Sequence, residues 1–136
     1  MKRFTQAVNT GRLEALRQLI APGVKDHDPA PGQESGPEGY IKMFGALREA
    51  FPDLMVTADK LVTDEDQVGM AYTMTGTHRG AFMGIAATGK AIRARGVQIA
   101  RFENGILIER WGSSDELGIL RQLGAVENLP QPKPLR

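Results

Sequence analysis

Asp115 is the carboxylate whose surroundings in the sequence best suit proton transfer. It closes the run Ile106-Leu107-Ile108-Glu109-Arg110-Trp111-Gly112-Ser113-Ser114-Asp115, which reads as a strand carrying the only tryptophan of the chain. Side chains alternate across a strand, so Leu107, Glu109, Trp111, Ser113 and, if the strand extends that far, Asp115 are expected on one side. A carboxyl group beside a large aromatic on an apolar wall is held towards its neutral form by desolvation, which equips it as a general acid and base. The same position also suits an N-cap for a helix beginning near Glu116.

Two histidines accompany it, His27 and His78. Each sits beside turn-like sequence and can reach a cavity mouth, where an imidazole can orient a carbonyl or relay a proton. Each can equally be a hydrogen-bonded loop histidine. His78 shares strand parity with Met70, Tyr72 and Met74, a bulky face suited to a cavity wall. Met43, Phe44, Phe51, Tyr72, Met74, Phe82 and Trp111 supply apolar surface for core packing or for lining a site for a flat ligand. Gln98 lies among the small residues Ala94, Gly96 and Ala100, which suits either a pocket floor with one hydrogen-bonding amide or a close dimer contact.

Other chemistries find no support. With 17 Lys+Arg against 16 Asp+Glu there is no electrostatic case for nucleic acid. Arg93, Arg95 and Arg101 share one strand parity and read as a solvated outer face. The chain contains no cysteine, which removes disulfides, thiol nucleophiles and thiolate-bound metals. Two histidines without ligand spacing do not suggest a metal site. Gly76, Gly80, Gly84 and Gly89 lack the Gly-Lys-Ser/Thr ending of a phosphate loop, and no Gly-x-Ser-x-Gly elbow is present. No apolar run approaches the roughly 20 residues that span a membrane, and no signal-peptide pattern follows the basic start. A cytoplasmic protein is the expectation.

The elements that must position these residues form one domain over 1–124, followed by a tail over 125–136 containing Pro130, Pro132 and Pro134. Helices are expected over 2–9 and 11–20, the second stopped by Ala21-Pro22-Gly23. Val24 to Pro37 reads as a loop, of the kind that often forms a rim or lid. Gly36-Pro37-Glu38 opens a further helix that Pro52 ends. Strands are expected over 54–62, 68–77, 91–102 and 106–112, the last two joined by the tight turn Asn104-Gly105. Helices followed by antiparallel strands indicate an α+β domain, a curved sheet wrapped around the helices with a cavity between them.

Ala50-Phe51-Pro52-Asp53-Leu54, Gly76-Thr77-His78-Arg79-Gly80, Gly84-Ile85-Ala86-Ala87-Thr88-Gly89-Lys90, Arg101-Phe102 with Asn104-Gly105, Glu109, Trp111, Asp115 and Gln122-Leu123-Gly124 stand in this order along the chain. Together they resemble the SnoaL-like polyketide cyclases (ester cyclases) of the nuclear transport factor 2-like superfamily. The resemblance covers about residues 3–124. It implies a cone-shaped α+β barrel, usually dimeric or tetrameric through its sheet. It also implies intramolecular aldol closure of an aromatic polyketide methyl ester, with no metal or organic cofactor and with Asp115 as the acid/base. The chain departs from the family pattern at Arg110, where the family often has His, and at Ala86-Ala87, where Pro-Pro or Pro-Thr is usual. Alternation places Arg110 opposite Trp111, so the first change is expected at an interface rather than in the pocket.

The expected function is therefore a cofactor-independent cyclase acting on a hydrophobic, oxygenated small molecule by acid/base chemistry at Asp115. The alternatives are a non-catalytic small-molecule-binding module, or an isomerase, hydratase or hydroxylase on the same fold. A homodimer is expected.

Overall fold

A computed structural model describes residues 1–126. The proline-rich part of the expected tail, from 127 onwards, lies outside the described residues. The chain runs through α1 (Lys2–Thr10), a 3-10 helix (Leu13–Gln18), β1 (Ile20–Asp26), α2 (Gly36–Ala50), β2 (Met55–Asp64), β3 (Gln67–Thr77), β4 (Ala91–Glu103), β5 (Ile106–Ser114) and α3 (Glu116–Gln122). The strands form one sheet in the order β1-β5-β4-β3-β2, antiparallel except for the parallel β1–β5 edge. This is the expected α+β architecture, with the sheet curved around the helices.

Local chemistry explains most boundaries. α1 ends at Gly11, whose φ of 79° is the left-handed conformation that glycine adopts without a steric penalty. Arg48, near the end of α2, donates from Nη1 to the carbonyls of Val8 (3.0 Å) and Asn9 (3.2 Å), satisfying orphan acceptors at the end of α1. Asn9 then ties α1 to the sheet edge, donating to Val56 O (2.9 Å) and accepting from Val56 N (2.7 Å). Pro37 and Glu38 open α2 as expected. The β4–β5 hairpin turns on Asn104 (φ 53°) and Gly105 (φ 78°), both positive as a tight two-residue turn requires.

Two expectations change. Residues 11–20 do not form a full α-helix but a short 3-10 helix, and Ala21-Pro22-Gly23 does not end a helix. It lies inside β1, where the pairing with β5 breaks register between Ile20 and Lys25. Proline is tolerated there because β1 is an edge strand paired irregularly. The expected loop from Val24 consequently begins only after Asp26.

The largest consequence for function comes from β5. Arg101 pairs with Glu109, but Phe102 pairs with Leu107, so Ile108 is an extra residue forming a bulge. The bulge reverses the facing of everything after it. Leu107 points into the core, 3% exposed, while Arg110, Gly112 and Ser114 follow it onto the concave face opposite Ala100, Gln98 and Gly96. Glu109, Trp111 and Ser113 turn to the convex face. There they lie beside Arg101, Ile99 and Val97, and exposed Arg93 and Arg95 continue that face along β4.

Two apolar clusters fill the concave side. One gathers Val8, Phe51, Leu54, Met74, Ile92, Ala94, Ile119 and Leu123, and the other Ala7, Leu13, Leu16, Ile20, Tyr40, Ala100 and Leu107. Phe4 and Phe44 touch both and meet edge to face at 5.7 Å. Along β4 the inward residues run Ile92, Ala94, Gly96, Gln98, Ala100, apolar at both ends and small or polar in the middle. That middle stretch is where the polar side chains of the interior collect.

Candidate active site

Asp26, the last residue of β1, is the hub of this interior group. Its carboxylate accepts the Tyr40 hydroxyl (2.6 Å), Arg110 Nη1 (3.2 and 3.4 Å to its two oxygens) and the Asp28 backbone N–H (2.9 Å). Arg110 also donates from Nε to Gln98 Oε1 (3.1 Å) and from Nη1 to Asp28 O (3.4 Å). The two charges are largely withdrawn from water, with Arg110 19% and Asp26 9% exposed. Desolvation at that depth costs several kcal/mol per ion, which the surrounding hydrogen bonds must offset. Burial, reinforced by Asp26, pushes the Tyr40 phenol well above its ordinary pKa, so it stays a proton donor to Asp26. Asp28 completes the group by accepting Gly112 N–H (2.9 Å), which joins the start of the 27–35 loop to β5.

Tyr72 stands beside this network on β3. Burial raises its pKa, while Arg110 and the Ser114 hydroxyl act in the opposite direction. Its ring lies across Gly96, where a Cβ would come within 2.4 Å of the phenol oxygen. Gly112 makes similar room for Arg110, since a Cβ there would fall 2.5 Å from Nη2.

Asp115 follows directly after Ser114. Its backbone N–H bonds Arg95 O (3.0 Å) and its Oδ1 accepts Gly118 N–H (2.9 Å), so it closes β5 and caps α3. It is exposed. Asp115, bonded to exposed Arg95, keeps the strand parity of Trp111 and Ser113; the expectation that this side is an apolar cavity wall is corrected, because the bulge at Ile108 turns it to the convex face. The same bulge corrects the expectation for Arg110, which belongs to the interior.

His27 accompanies Trp111, the rings stacked at 4.6 Å with planes 4° apart, and its Nε2 meets Glu109 Oε2 at 2.7 Å. Glu109 also accepts Arg101 Nε (3.1 Å), and His27 foremost, with Arg101, holds its carboxyl below the usual range. This is a convex-face anchor for the 27–35 loop, so His27 does not reach the Asp26–Arg110 group.

His78 is fully buried, next to Phe51 at 5.6 Å between ring centroids. Thr88 N–H donates to its Nδ1 (3.2 Å), which assigns the ring proton to Nε2. Nε2 has no hydrogen-bond partner among the described residues. With Thr88 Oγ1 also at 2.9 Å from Nδ1, His78 pins the 78–90 loop that carries the Phe82–Ile85 turn. Phe51 and Met74 are buried in the apolar cluster at this end, and Phe82 packs edge-on against Phe51. Met43 and Phe44 are partly buried against the other cluster. These side chains form walls and core around the polar group rather than converging on one point.

Of the expected site residues, the structure brings Gln98 and Tyr72 together with Arg110. It separates them from Trp111, His27 and His78. Asp26, Tyr40, Arg110 and Ser114 were not expected to take part. The available signal was the apolar triplet Ile106-Leu107-Ile108, which breaks strict alternation just before two charged residues.

Two clefts flank the start of α1, and neither is lined by Tyr72, Gln98 or Arg110. A cleft of about 320 Å³ lies between α1 and Ala58 and Leu61 of β2, and another of about 470 Å³ is lined by Met1 to Phe4, Leu19, Phe102 and Gly105. Met1 lines both, its sulfur 3.7 Å from Gln98 Nε2. The interior thus offers apolar walls, two oriented hydroxyl and guanidinium donors, and a carboxylate at the strand end.

The family model described as SnoaL-like polyketide cyclase matches residues 1–123. The chain belongs to this family. Among curated relatives, aklanonic acid methyl ester cyclase DauD of Streptomyces sp. (strain C5) is 27% identical over 98% of this chain and 83% of its own length. Among solved structures, TsrD from Streptomyces laurentii superposes with a TM-score of 0.84 at 31% identity, covering 93% of this chain and 92% of its own. IdmH from Streptomyces antibioticus gives 0.77 at 31% identity over 88% and 92%. Family membership accounts for the cone and for the chain order of its elements. Among the described residues, no helix is long and apolar enough to cross a membrane.

Proposed function

We propose that this chain is a cofactor-independent cyclase that closes a ring by intramolecular aldol addition in a hydrophobic, oxygenated small molecule. The observation that supports this reading is the interior polar patch of Tyr72, Gln98 and Arg110, set between two apolar clusters, with Asp115 following its Ser114 neighbour in the chain. Apolar walls suit the carbon skeleton of such a ligand, and the few polar groups suit its carbonyls. Asp115 takes the proton from carbon, the resulting enolate carbon bonds to the ketone carbon, and the carboxyl proton passes to the ketone oxygen. A ligand seated against β5 and the start of α3 would exclude water from Asp115, supplying the desolvation that the exposed carboxylate otherwise lacks.

Asp115→Asn tests this directly, using a polycyclic β-keto ester as substrate. Asparagine caps a helix as well as aspartate does, so α3 should survive the change. Turnover should fall about 10²–10⁴-fold with ligand affinity retained, the usual contribution of general acid–base catalysis. Equal loss of affinity and turnover would make Asp115 a structural cap only. Tight binding of the keto ester with no chemical change in the unmodified protein would instead favour a binding module.

We further propose that two copies pair through the convex sheet face, where Val97 (58%) and Ile99 (44%) are exposed. A mass by light scattering that stays monomeric at all concentrations would contradict this.

A further inference from the structure

Residues 26–28 close onto residues 110–112 one position at a time. The Asp26 carboxylate takes Arg110 Nη1 (3.2 Å), the His27 backbone N–H donates to Arg110 O (2.9 Å), and Asp28 Oδ2 accepts Gly112 N–H (2.9 Å). On the convex side the His27 ring lies flat on Trp111, and its Nε2 meets Glu109 Oε2 at 2.7 Å. The 27–35 loop that follows reaches the interior polar group. Asp28 O accepts Arg110 Nη1 (3.4 Å), and Gln33 stands close enough to act on the Tyr40 phenol. Releasing residues 27 and 28 from β5 would withdraw the loop and let water reach Asp26, Tyr40 and Arg110.

Of the side-chain types in this clasp, imidazole alone changes charge between pH 5 and 8. The groups around His27 decide what that change does. Glu109 on β5 is the anion facing it, and His27 foremost holds its carboxyl below the usual range, so Glu109 stays ionised throughout that interval. Arg101 on β4 shares the carboxylate at 3.1 Å, and Lys25 on β1 lies opposite Glu109 in the ladder. These two cations oppose a third. Arg101, however, is also drawn to Asp66 of the β2–β3 turn (3.7 Å), and the shortest bond to Glu109 is that of His27. Asp26 and Asp28 are engaged by Arg110 and Gly112 instead. Protonated His27 therefore gains twice. Its bond to Glu109 becomes charge-assisted, about twice as strong as a neutral one, and a cation sits over the indole face. Loss of the proton leaves a neutral Nε2–H donor and an uncharged ring stack.

We propose that His27 is a pH-sensitive latch on the 27–35 loop: protonated, it holds the loop shut against Trp111 and Glu109, and deprotonated, it lets the loop open more often. The latch is complete on the acid side of the imidazole titration and weakens as pH rises through it. It is independent of the cyclase reading, since no substrate takes part.

Two readouts test it on the full chain. Trp111 is the only tryptophan, and an imidazolium stacked on indole quenches its emission, so fluorescence follows the ring contact. Amide hydrogen exchange at residue 27 and at Gly112, corrected for the intrinsic pH dependence of exchange, follows opening of the clasp. Exchange should be about tenfold slower at about pH 5.5 than at about pH 7.5, with emission falling along the same curve towards acid. His27→Gln keeps the backbone hydrogen bonds and should abolish both pH dependences. Glu109→Gln should keep the emission curve and shrink the exchange difference. His78, the other histidine, is buried beside Phe51, so a dependence that survives in His27→Gln would pass to His78 and overturn the latch. The unmodified protein alone can also refute it. Exchange that does not change with pH, or an emission curve without a matching change in exchange, would show an imidazole that does not hold the loop.

Discussion

Arg110 and Asp26 show how one buried ion pair can be both a structural commitment and a source of donors. Replacing Arg110 by Met alone leaves Asp26 buried without its counter-charge, and the stability loss should reach about 3–5 kcal/mol. The double change with Asp26→Asn should recover much of that loss, a difference that urea titration of both variants would measure. Tyr40→Phe removes one donor from Asp26 and should cost about 1–3 kcal/mol by the same measurement. Gly112→Ala tests the space argument: its methyl would fall 2.5 Å from Arg110 Nη2, so the guanidinium must move. A loss of about 1–3 kcal/mol is expected from such overpacking. The sequence singled out Tyr72 and Gln98 by type and parity, but their partner Arg110 stayed hidden because its facing depends on a residue two places earlier.

The bulge in β5 is the element-scale device that decides the site. Deleting Ile108 would make Phe102–Leu107 and Arg101–Glu109 consecutive ladder pairs, leaving Arg110 inward and Trp111 outward. The deletion should therefore keep cooperative thermal unfolding by circular dichroism, and its loss would show that the strand needs the bend the bulge supplies. Its two neighbours behave as the sequence leads one to expect: Asn104-Gly105 turns the hairpin, and Asp115 ends the strand by capping α3. Strand-forming residues and the turns between them located β2 to β5 to within a few residues, although β2 is exposed along nearly its whole length. β1 was missed because Pro22 and Gly23 sit at its irregular edge pairing, where propensity points to a loop and only the partner strand supplies the order.

At the scale of the whole molecule, the two interior phenols make stability depend on alkaline pH. Burial raises the folded pKa of both Tyr40 and Tyr72, whereas an unfolded tyrosine begins to ionise near pH 10. A folded pKa above the unfolded one means the stabilisation is intact below about pH 10 and is lost as pH rises towards the folded values. The urea midpoint should therefore fall on the alkaline side, and Tyr40→Phe should flatten that limb while lowering the neutral plateau. An alkaline limb of unchanged slope in Tyr40→Phe would show that Tyr40 ionises alike in both states.

Composition, the order of helices and strands, and the turn residues were enough to determine an α+β domain with one curved sheet, because these depend on local propensity and on which face of each element is apolar. The family motifs, read from the same residues, pointed to the cyclase fold and are borne out by the match over residues 1–123. Which side chains share the interior was decided only in three dimensions. A single inserted residue at Ile108, signalled only by the apolar triplet it closes, reverses the facing of every position after it. Likewise, the end of β1 meets β5 across more than eighty residues of chain, so the Asp26–Arg110 pair exists only once the sheet has closed.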